Sequence, residues 1–403
     1  MSEQLLKKKI LIFIDWFLPG YKAGGPVRSM ANMVDYLKEE YDFFVYTSNK
    51  DYDGEILDVQ NDQWLVFNEG SAKVYYSSKP GLAEVKNIIK DISPDTIYLN
   101  SVFSLKYTIY PLFINTFLSN IRIPKVVFAP RGMFQKGALR LKGGKKRLFL
   151  MLVKPLLFKA RNIIWHATDK QEKEDVKDEV GKSAPVKEVS NIPTTQVIDY
   201  GIQLPEDEIR FVTISLVAEK KNHIFFLKLL QTLKLPEGRR IVYDIYGPVK
   251  DYAYWQRCQE LITEMPNGVT VSYKGSVIPT MVNKTLQAYQ FFVLPTLGEN
   301  FGHAIFEALV NGVPVLISEL TPWRRLANMK GGWDLKLEMR GEKKELSSER
   351  GDVSGEKIEW RTKLNDIIAM TPEEHQHWQE GAKAVARTYI AEQDYRRSYK
   401  ELL

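Results

Sequence analysis

At 403 residues, 44% hydrophobic and 26% charged, the chain is too long for one compact core. It suits two domains of ordinary size, and its composition excludes disorder, collagen and coiled coil. A net charge of +6 is too small at this length to imply nucleic-acid binding. The single cysteine, Cys258, cannot close an internal disulfide, which fits a reducing, cytoplasmic setting.

The first element, in "KKKILIFIDWFLPG", has the basic and apolar parts of a signal peptide. Asp15 interrupts the run and no small-residue cleavage site follows, so a buried first strand at 10–14 is expected. "GGPVRSM" then opens a helix; Gly24 and Gly25 tolerate positive φ and let backbone approach a ligand. "FFVYT" at 43–47 is the second strand. After it, "DYDG" places Asp51 and Asp53 in a D-x-D arrangement that holds a divalent metal in some nucleotide-diphosphate enzymes. Beside Asn49, Lys50 and Gly54 it reads as a turn.

Strands at 96–99 ("TIYL"), 126–129 ("VVFA") and 163–167 ("IIWHA") complete a first set. Between the last two, 136–161 carries Lys136, Arg140, Lys142, Lys145, Lys146, Arg147, Lys154, Lys159 and Arg161 among leucines, with no acid. Such an amphipathic element can lie on an anionic membrane surface, or pack its apolar side on its own domain. No stretch approaches the roughly 20 apolar residues that span a bilayer.

"NIPTTQVIDYGIQLPEDE" has the prolines and polar residues of a linker, placing a first domain at 1–195 and a second at 205–384. The strand series restarts at 209–216, 241–247, 269–275, 291–296 and 313–318. Strands alternating with helical patterns predict parallel, doubly wound sheets, which bind ligands at the carboxyl ends of their strands. A charged, Gly- and Ser-containing stretch at 336–357 reads as an exposed loop. The last 30 residues form one or two helices, with Trp378, Ala382, Ala386, Tyr389 and Tyr395 as candidate buried positions; the helix at about 385–403 is expected to pack back on the first domain. The histidines 166, 223, 303, 375 and 377 make no ligand cluster, and no metal is expected.

"TLGENFGHAIFEALVNGVPVLIS" (296–318) is the most informative stretch. Phe301, Ala304, Ile305, Ala308 and Leu309 have the spacing of a buried helix face, with Asn300, His303 and Glu307 on a separate stripe. The amides at the helix start, from Asn300 to Ala304, make a site for an anion. Glu299 either caps the helix or accepts hydrogen bonds from ligand hydroxyls. Lys220 and Lys221, after the strand at 209–216, read by themselves as surface lysines.

Glu299 and Glu307, as E-x7-E within this stretch, resemble the signature of retaining glycosyltransferases of the GT-B fold, family 4 of the sequence-based classification. "GYKAGGPVRSM", "APRGMF", "AEKKNH", "YDIYGPV", "YKGSV" and "LTPW" follow in family order. The resemblance implies two Rossmann-like lobes facing each other across a cleft. It implies a sugar moved from a nucleotide donor, UDP- or GDP-linked, to a glycan or lipid-linked acceptor of surface polysaccharide or lipopolysaccharide biosynthesis, with retention of anomeric configuration and without a cofactor. Glu299 would hold the donor sugar and Glu307 the ribose hydroxyls; the amides of Asn300, Phe301, Gly302, His303 and Ala304 would hold the diphosphate. Gly275 to Val277 would face the base, and the Gly24–Gly25 loop the diphosphate from the other lobe.

Two departures from the family pattern stand out. Lys221 aligns with a phosphate-neutralising lysine, with Lys220 beside it, but the expected arginine falls on Leu216, or on Ser215 if the register slips. Arg28 is a candidate replacement. A strand-end histidine is replaced by Asn100, which can position a hydroxyl but cannot act as a general base. Arg131 either binds an acidic acceptor or pairs within its own domain. These departures motivate a second reading, a non-catalytic nucleotide-sugar-binding subunit; a GT-B epimerase acting on a free nucleotide sugar is a third.

Overall fold

The computed structural model describes residues 7–118, 121, 123–134, 162–198, 205, 207–337 and 355–403. The basic stretch 136–161, most of the charged stretch 336–357 and part of the linker lie outside the described residues. The chain divides into two units, Met1–Pro193 with Asp394–Leu403, and Thr194–Gln393.

The first unit holds β1 (Lys8–Phe13), β2 (Tyr41–Ser48), β3 (Trp64–Phe67), β4 (Ala72–Ser77), β5 (Thr96–Asn100), β6 (Lys125–Ala129), β7 (Ile163–Ala167) and β8 (Val186–Glu188). They form one sheet in the order β3-β4-β2-β1-β5-β6-β7-β8, parallel throughout except for the β3–β4 pair. Interior strands of a parallel sheet are covered on both faces and read as unbroken apolar runs; Ile10 to Phe13 and all of β5 are buried accordingly. The edge strand β3, "WLVF", is apolar too, but none of its residues is fully buried and Val66 is 73% exposed. Helices α1 (Gly25–Tyr36), α2 (Leu82–Ile92), α3 (Tyr110–Phe117) and α4 (Lys170–Val180) connect the strands.

In the second unit β9 (Glu208–Ile214), β10 (Arg240–Tyr246), β11 (Val269–Tyr273), β12 (Phe291–Leu294), β13 (Val315–Ser318) and β14 (Gly332–Leu335) form an all-parallel sheet in the order β11-β10-β9-β12-β13-β14. Its helices are α5 (His223–Gln231), α6 (Tyr252–Thr263), α7 (Val282–Leu286), α8 (His303–Val310), α9 (Gly355–Ala369) and α10 (Pro372–Glu392). Two apolar clusters sandwich the sheet: one joins Phe226, Tyr243, Trp255 and Trp360, the other Phe292, Ile305, Phe306 and Trp323. A reciprocal cap, Thr371 with Glu374, starts α10.

Residues 385–392 belong to α10 and the second unit, and the chain enters the first unit only at Asp394. There Asp394 caps α11 (Tyr395–Leu402) by accepting from the Arg397 amide at 3.0 Å. The helix is fixed by Thr96 and Lys125, which donate to the Leu403 carbonyl at 3.1 Å, and by Tyr399, which donates to the Ser190 carbonyl at 3.3 Å. Ala382, Ala386 and Tyr395 are fully buried, whereas Trp378 and Tyr389 are only partly so.

Candidate functional site at the strand ends of the second unit

Four loops at the carboxyl edge of the second sheet are tied to one another. After β10, Gly247 has φ +134°, and a Cβ there would lie 1.8 Å from the Ser215 carbonyl oxygen of the loop after β9, so only glycine allows this approach. The Gly247 amide donates to the Gly275 carbonyl at 2.8 Å, linking the loop after β11. The loop after β12 joins through the Leu297 amide and the Thr296 hydroxyl, which donate to the Lys220 carbonyl at 2.7 and 3.2 Å.

This lacing brings Lys221 and Glu299 together across 78 positions of sequence. The Lys221 ammonium donates to Glu299 Oε1 in an ion pair whose side chains are 18% and 13% exposed. The Thr296 hydroxyl lies 3.3 Å from the same oxygen, which competes with the Lys220 carbonyl for its one proton. Burial pushes the Glu299 carboxyl up, but Lys221, Lys220 and these hydrogen bonds outweigh it and hold the group below the usual carboxylate range. Lys221 is therefore half of a partly desolvated pair rather than a surface lysine.

The helix of the E-x7-E stretch starts later than its periodicity suggests. Gly302, at φ +78°, precedes His303 as the cap residue, and the first intrahelical bonds run from the Ile305 and Phe306 amides to the Gly302 carbonyl at 2.9 and 3.1 Å. The His303 and Ala304 amides precede those bonds, at the positive end of α8. No side chain caps the helix, so the capping role for Glu299 does not hold; its amide instead donates to the Leu320 carbonyl at 3.1 Å.

Phe301 lies outside the helix, packed on His303 at 4.7 Å between ring centroids and fixed by Trp323, whose indole N–H donates to the Phe301 carbonyl at 2.6 Å. Glu307 is 8% exposed. It is buried rather than part of an open polar stripe. Asn300 is partly exposed at the turn before the helix.

Gly275, at φ +73° with open space where a Cβ would stand, and Val277, half-buried, follow β11. Leu216 is half-buried and brings no cation to the site, as its sequence position suggested. His223, wholly buried at the start of α5, is pushed down to about 4 by burial, with Lys221 adding to the effect and a hydrogen bond involving Leu216 opposing it.

The remaining candidates lie in the first unit. Gly24, at φ +77°, caps α1, Gly25 is its first residue, and Arg28 lies half-buried one turn on. Asn100 and Arg131 bond to each other: Arg131 Nε donates to Asn100 Oδ1 at 3.2 Å, and its other nitrogens reach the Tyr98 hydroxyl at 3.1 Å and the Asn191 side chain. The Asn100 amide also contacts Met30 Sδ at 3.1 Å. Tyr98 in turn bonds buried His166, which burial pushes down to about 3 and so keeps neutral. Asp51 accepts from the Tyr21 and Lys22 amides at 3.0 and 3.1 Å and Asp53 pairs with Lys22 at 2.7 Å, as members of a turn closed from the Gly54 amide to the Asp51 carbonyl. Among the described residues no cluster of His, Cys, Asp or Glu could hold a metal.

Sequence reasoning missed Thr296, Gly247 and Trp323 as organising residues. Trp323 lies in "LTPW" and Gly247 in "YDIYGPV", both segments already noted, but their roles depend on contacts between loops far apart in sequence.

Residues 197–331 match the model of the family described as "Glycosyl transferases group 1". The solved structures most like the chain include sucrose-phosphate synthase from Thermosynechococcus elongatus, with a TM-score of 0.71, 12% identity and coverage of 98% of this chain and 99% of that one. They include Anabaena HepE in complex with UDP-glucose, at 0.62 and 15%, covering 98% and 99%. A third is WaaG, a glycosyltransferase involved in lipopolysaccharide biosynthesis, at 0.61 and 14%, covering 98% of each chain.

The chain has the GT-B fold.

No curated protein sequence gives a significant match. In GT-B terms, the family-matched segment contains Lys220, Lys221, Gly275, Val277, Glu299 and Glu307, and it ends just before β14. No described helix is long and apolar enough to cross a membrane.

Proposed function

We propose that the protein is a glycosyltransferase that takes a nucleotide-sugar donor at the strand ends of its second unit and transfers the sugar, with retention, to a glycan or lipid-linked acceptor. The observation that carries this reading is the Lys221–Glu299 pair beside the start of α8, with Glu307 buried on the same helix and all three inside the family-matched segment. A buried carboxylate accepts a bidentate pair from a vicinal diol, and hydrogen bonds to a charged acceptor are the strong ones. Glu307 is the ribose contact and Glu299 the contact to the sugar. The His303 and Ala304 amides and Lys221 would stabilise negative charge as it develops on the departing diphosphate, and such fixed groups need no reorganisation during the reaction.

Glu307→Ala tests the assignment by titration calorimetry with UDP and GDP. Loss of charge-assisted bonds to two hydroxyls predicts binding about 100-fold weaker. Unchanged affinity for both nucleotides would sink the site. Binding without transfer to any acceptor would instead favour a non-catalytic binding subunit, the reading that Leu216 motivates.

The reading includes work at the cytoplasmic face of a membrane through the basic stretch 136–161, each surface lysine adding about 1 kcal/mol on anionic lipid. Sedimentation with liposomes at rising salt tests it, and binding indifferent to anionic lipid would count against it.

A further inference from the structure

The Lys221–Glu299 pair is complete without a ligand. The Lys221 ammonium donates to Glu299 Oε1, and the two side chains are 18% and 13% exposed. The backbones of both residues are fixed: the Glu299 amide donates to the Leu320 carbonyl at 3.1 Å, and the Lys221 amide to the Ala218 carbonyl at 2.9 Å. The Thr296 hydroxyl has one proton for three acceptors, the Lys220 and Gly298 carbonyls at 3.2 and 3.1 Å and Glu299 Oε1 at 3.3 Å. Lys221 is therefore the donor that compensates this carboxylate, and any exchange of partners takes place in the two side chains.

A diphosphate acts on both halves of the pair. It competes for the ammonium, and it sets further negative charge beside a largely buried carboxylate. At an effective dielectric constant of about 20 and a separation of about 5 Å, each such charge raises the proton affinity of the carboxylate by about two orders of magnitude. The hydroxyls of a sugar act in the opposite sense. A vicinal diol donates two charge-assisted hydrogen bonds to the ionised carboxylate and so favours the charged form.

Other titratable groups stand on the elements that meet here. Lys220 shares the loop after β9, and His303 and Glu307 belong to α8. Glu319, one residue before Leu320, is paired with Arg324 at 3.4 Å. His303 can also take up a proton beside a phosphate, but it does so for a nucleotide and a nucleotide sugar alike. A difference between those two ligands isolates Glu299.

We infer that Glu299 distinguishes a donor from its spent nucleotide: it takes up a proton when a nucleotide diphosphate binds alone and stays ionised when the sugar is present. The inference rests on the glycosyltransferase reading and deepens it, because it needs the diphosphate to meet Lys221 and the sugar to meet Glu299. The proton comes from solvent as the sugar leaves and returns to it with the nucleotide, and no covalent bond of the enzyme changes otherwise. Above the range in which that proton is held, the spent nucleotide sits beside a carboxylate without its donors, a cost that the nucleotide sugar does not bear. The site then prefers donor to product.

The test is titration calorimetry on the full chain at pH 6 and pH 8, each in two buffers of different ionisation enthalpy, which counts the protons taken up on binding. The probes are the β-methyl esters of UDP and GDP and a panel of UDP- and GDP-linked neutral hexoses. Ester and nucleotide sugar carry the same charge and no group that titrates between these pH values, so they differ only in the sugar. The ester of the accepted base should bind with uptake of roughly half a proton at pH 6 and little at pH 8, and about 2-fold more tightly at pH 6. The nucleotide sugar should bind with close to half a proton less than the ester at pH 6. Glu299→Gln, its melting temperature checked in parallel, should abolish this difference. Equal uptake by ester and nucleotide sugar overturns the proposal and needs no variant; a difference that persists in Glu299→Gln, or binding of an ester but of no nucleotide sugar, overturns it too. If neither UDP nor GDP compounds bind, the glycosyltransferase reading falls and takes this inference with it, whereas binding with equal uptake removes the inference alone.

Discussion

The two sheets present their carboxyl edges in opposite electrostatic states. In the second unit the charges are matched: Lys221 and Glu299 neutralise each other, and burial of the carboxylate is outweighed by its neighbours. In the first unit Asp15 has no such partner, and burial pushes its carboxyl up to about 6 against the pull of Ser104 and its own main chain. In the proposed function the matched pair, beside a helix start, meets an anionic ligand whose charge changes during reaction. An unmatched, buried carboxylate instead lowers stability whenever it is ionised. The same topological position thus carries a carboxylate at different cost according to whether its charge is compensated inside the protein.

Changing Glu299 should have the largest effect. Glu299→Ala is expected to lower transfer by about 10²–10³-fold, the range found when one preorganised polar contact to a transition state is removed, while UDP affinity changes far less. It should also destabilise the protein by about 2 kcal/mol, between the values for surface and fully buried pairs, because Lys221 is left partly desolvated without a partner. The folded carboxyl titrates below its unfolded value, so this stabilisation is present above the unfolded carboxylate range and is lost as pH falls through the folded value. Melting temperatures of parent and variant should converge in acid. Divergence in acid would show that the pair is not the source.

Asp15 should behave in the reverse sense. Its folded pKa lies above the ordinary 3.8, so the folded state retains a proton that the unfolded state has released, and stability falls as pH rises from about 4 to 6 and stays lower above that. Asp15→Asn removes the penalty. It should stabilise the protein by up to about 3 kcal/mol at pH 8 and by almost nothing at pH 4, as read from denaturant melts at the two pH values. Destabilisation at pH 8 would mean that Asp15 is compensated after all, and the contrast between the two edges would fail.

The sequence made the strands of both sheets readable where they are central. "IIWHA" at 163–167 coincides with β7, and "FFVL" begins β12 as expected, because a strand buried on both faces must be apolar at every position. The edge strands β3, β8 and β14 escaped, and with them β4 beside β3, since Val66 and Lys73 face solvent and β14 is only "GWDL". In the candidate site, the E-x7-E spacing marked the right helix, but its start was misplaced: the apolar period runs through Phe301, while Gly302 in a left-handed conformation starts the helix two residues later. The Lys221–Glu299 pair and the surroundings of Asp15 depend on which loops follow adjacent strands, and strand order is not written in any local window.

Gly302 allows the smallest effect to be argued from geometry. At φ +78° an L side chain carries a penalty of about 1 kcal/mol. A Cβ there would stand 2.8 Å from the Ile305 Cδ1, the end of a buried side chain that must turn aside. Gly302→Ala should therefore lose about 1–2 kcal/mol, or roughly 2–8 °C in a unit of this size. Gly238→Ala, in the turn before β10 at the other edge of the sheet, is the matched control: φ is +77°, and nothing lies within 4 Å of the new Cβ, so it isolates the backbone penalty. The two variants should differ more in UDP affinity than in melting temperature, because only Gly302 positions the His303 and Ala304 amides toward a phosphate. Equal affinities in the two variants would show that the start of α8 does not hold the diphosphate, and the matched edge would then owe its anion preference to Lys220 and Lys221 alone.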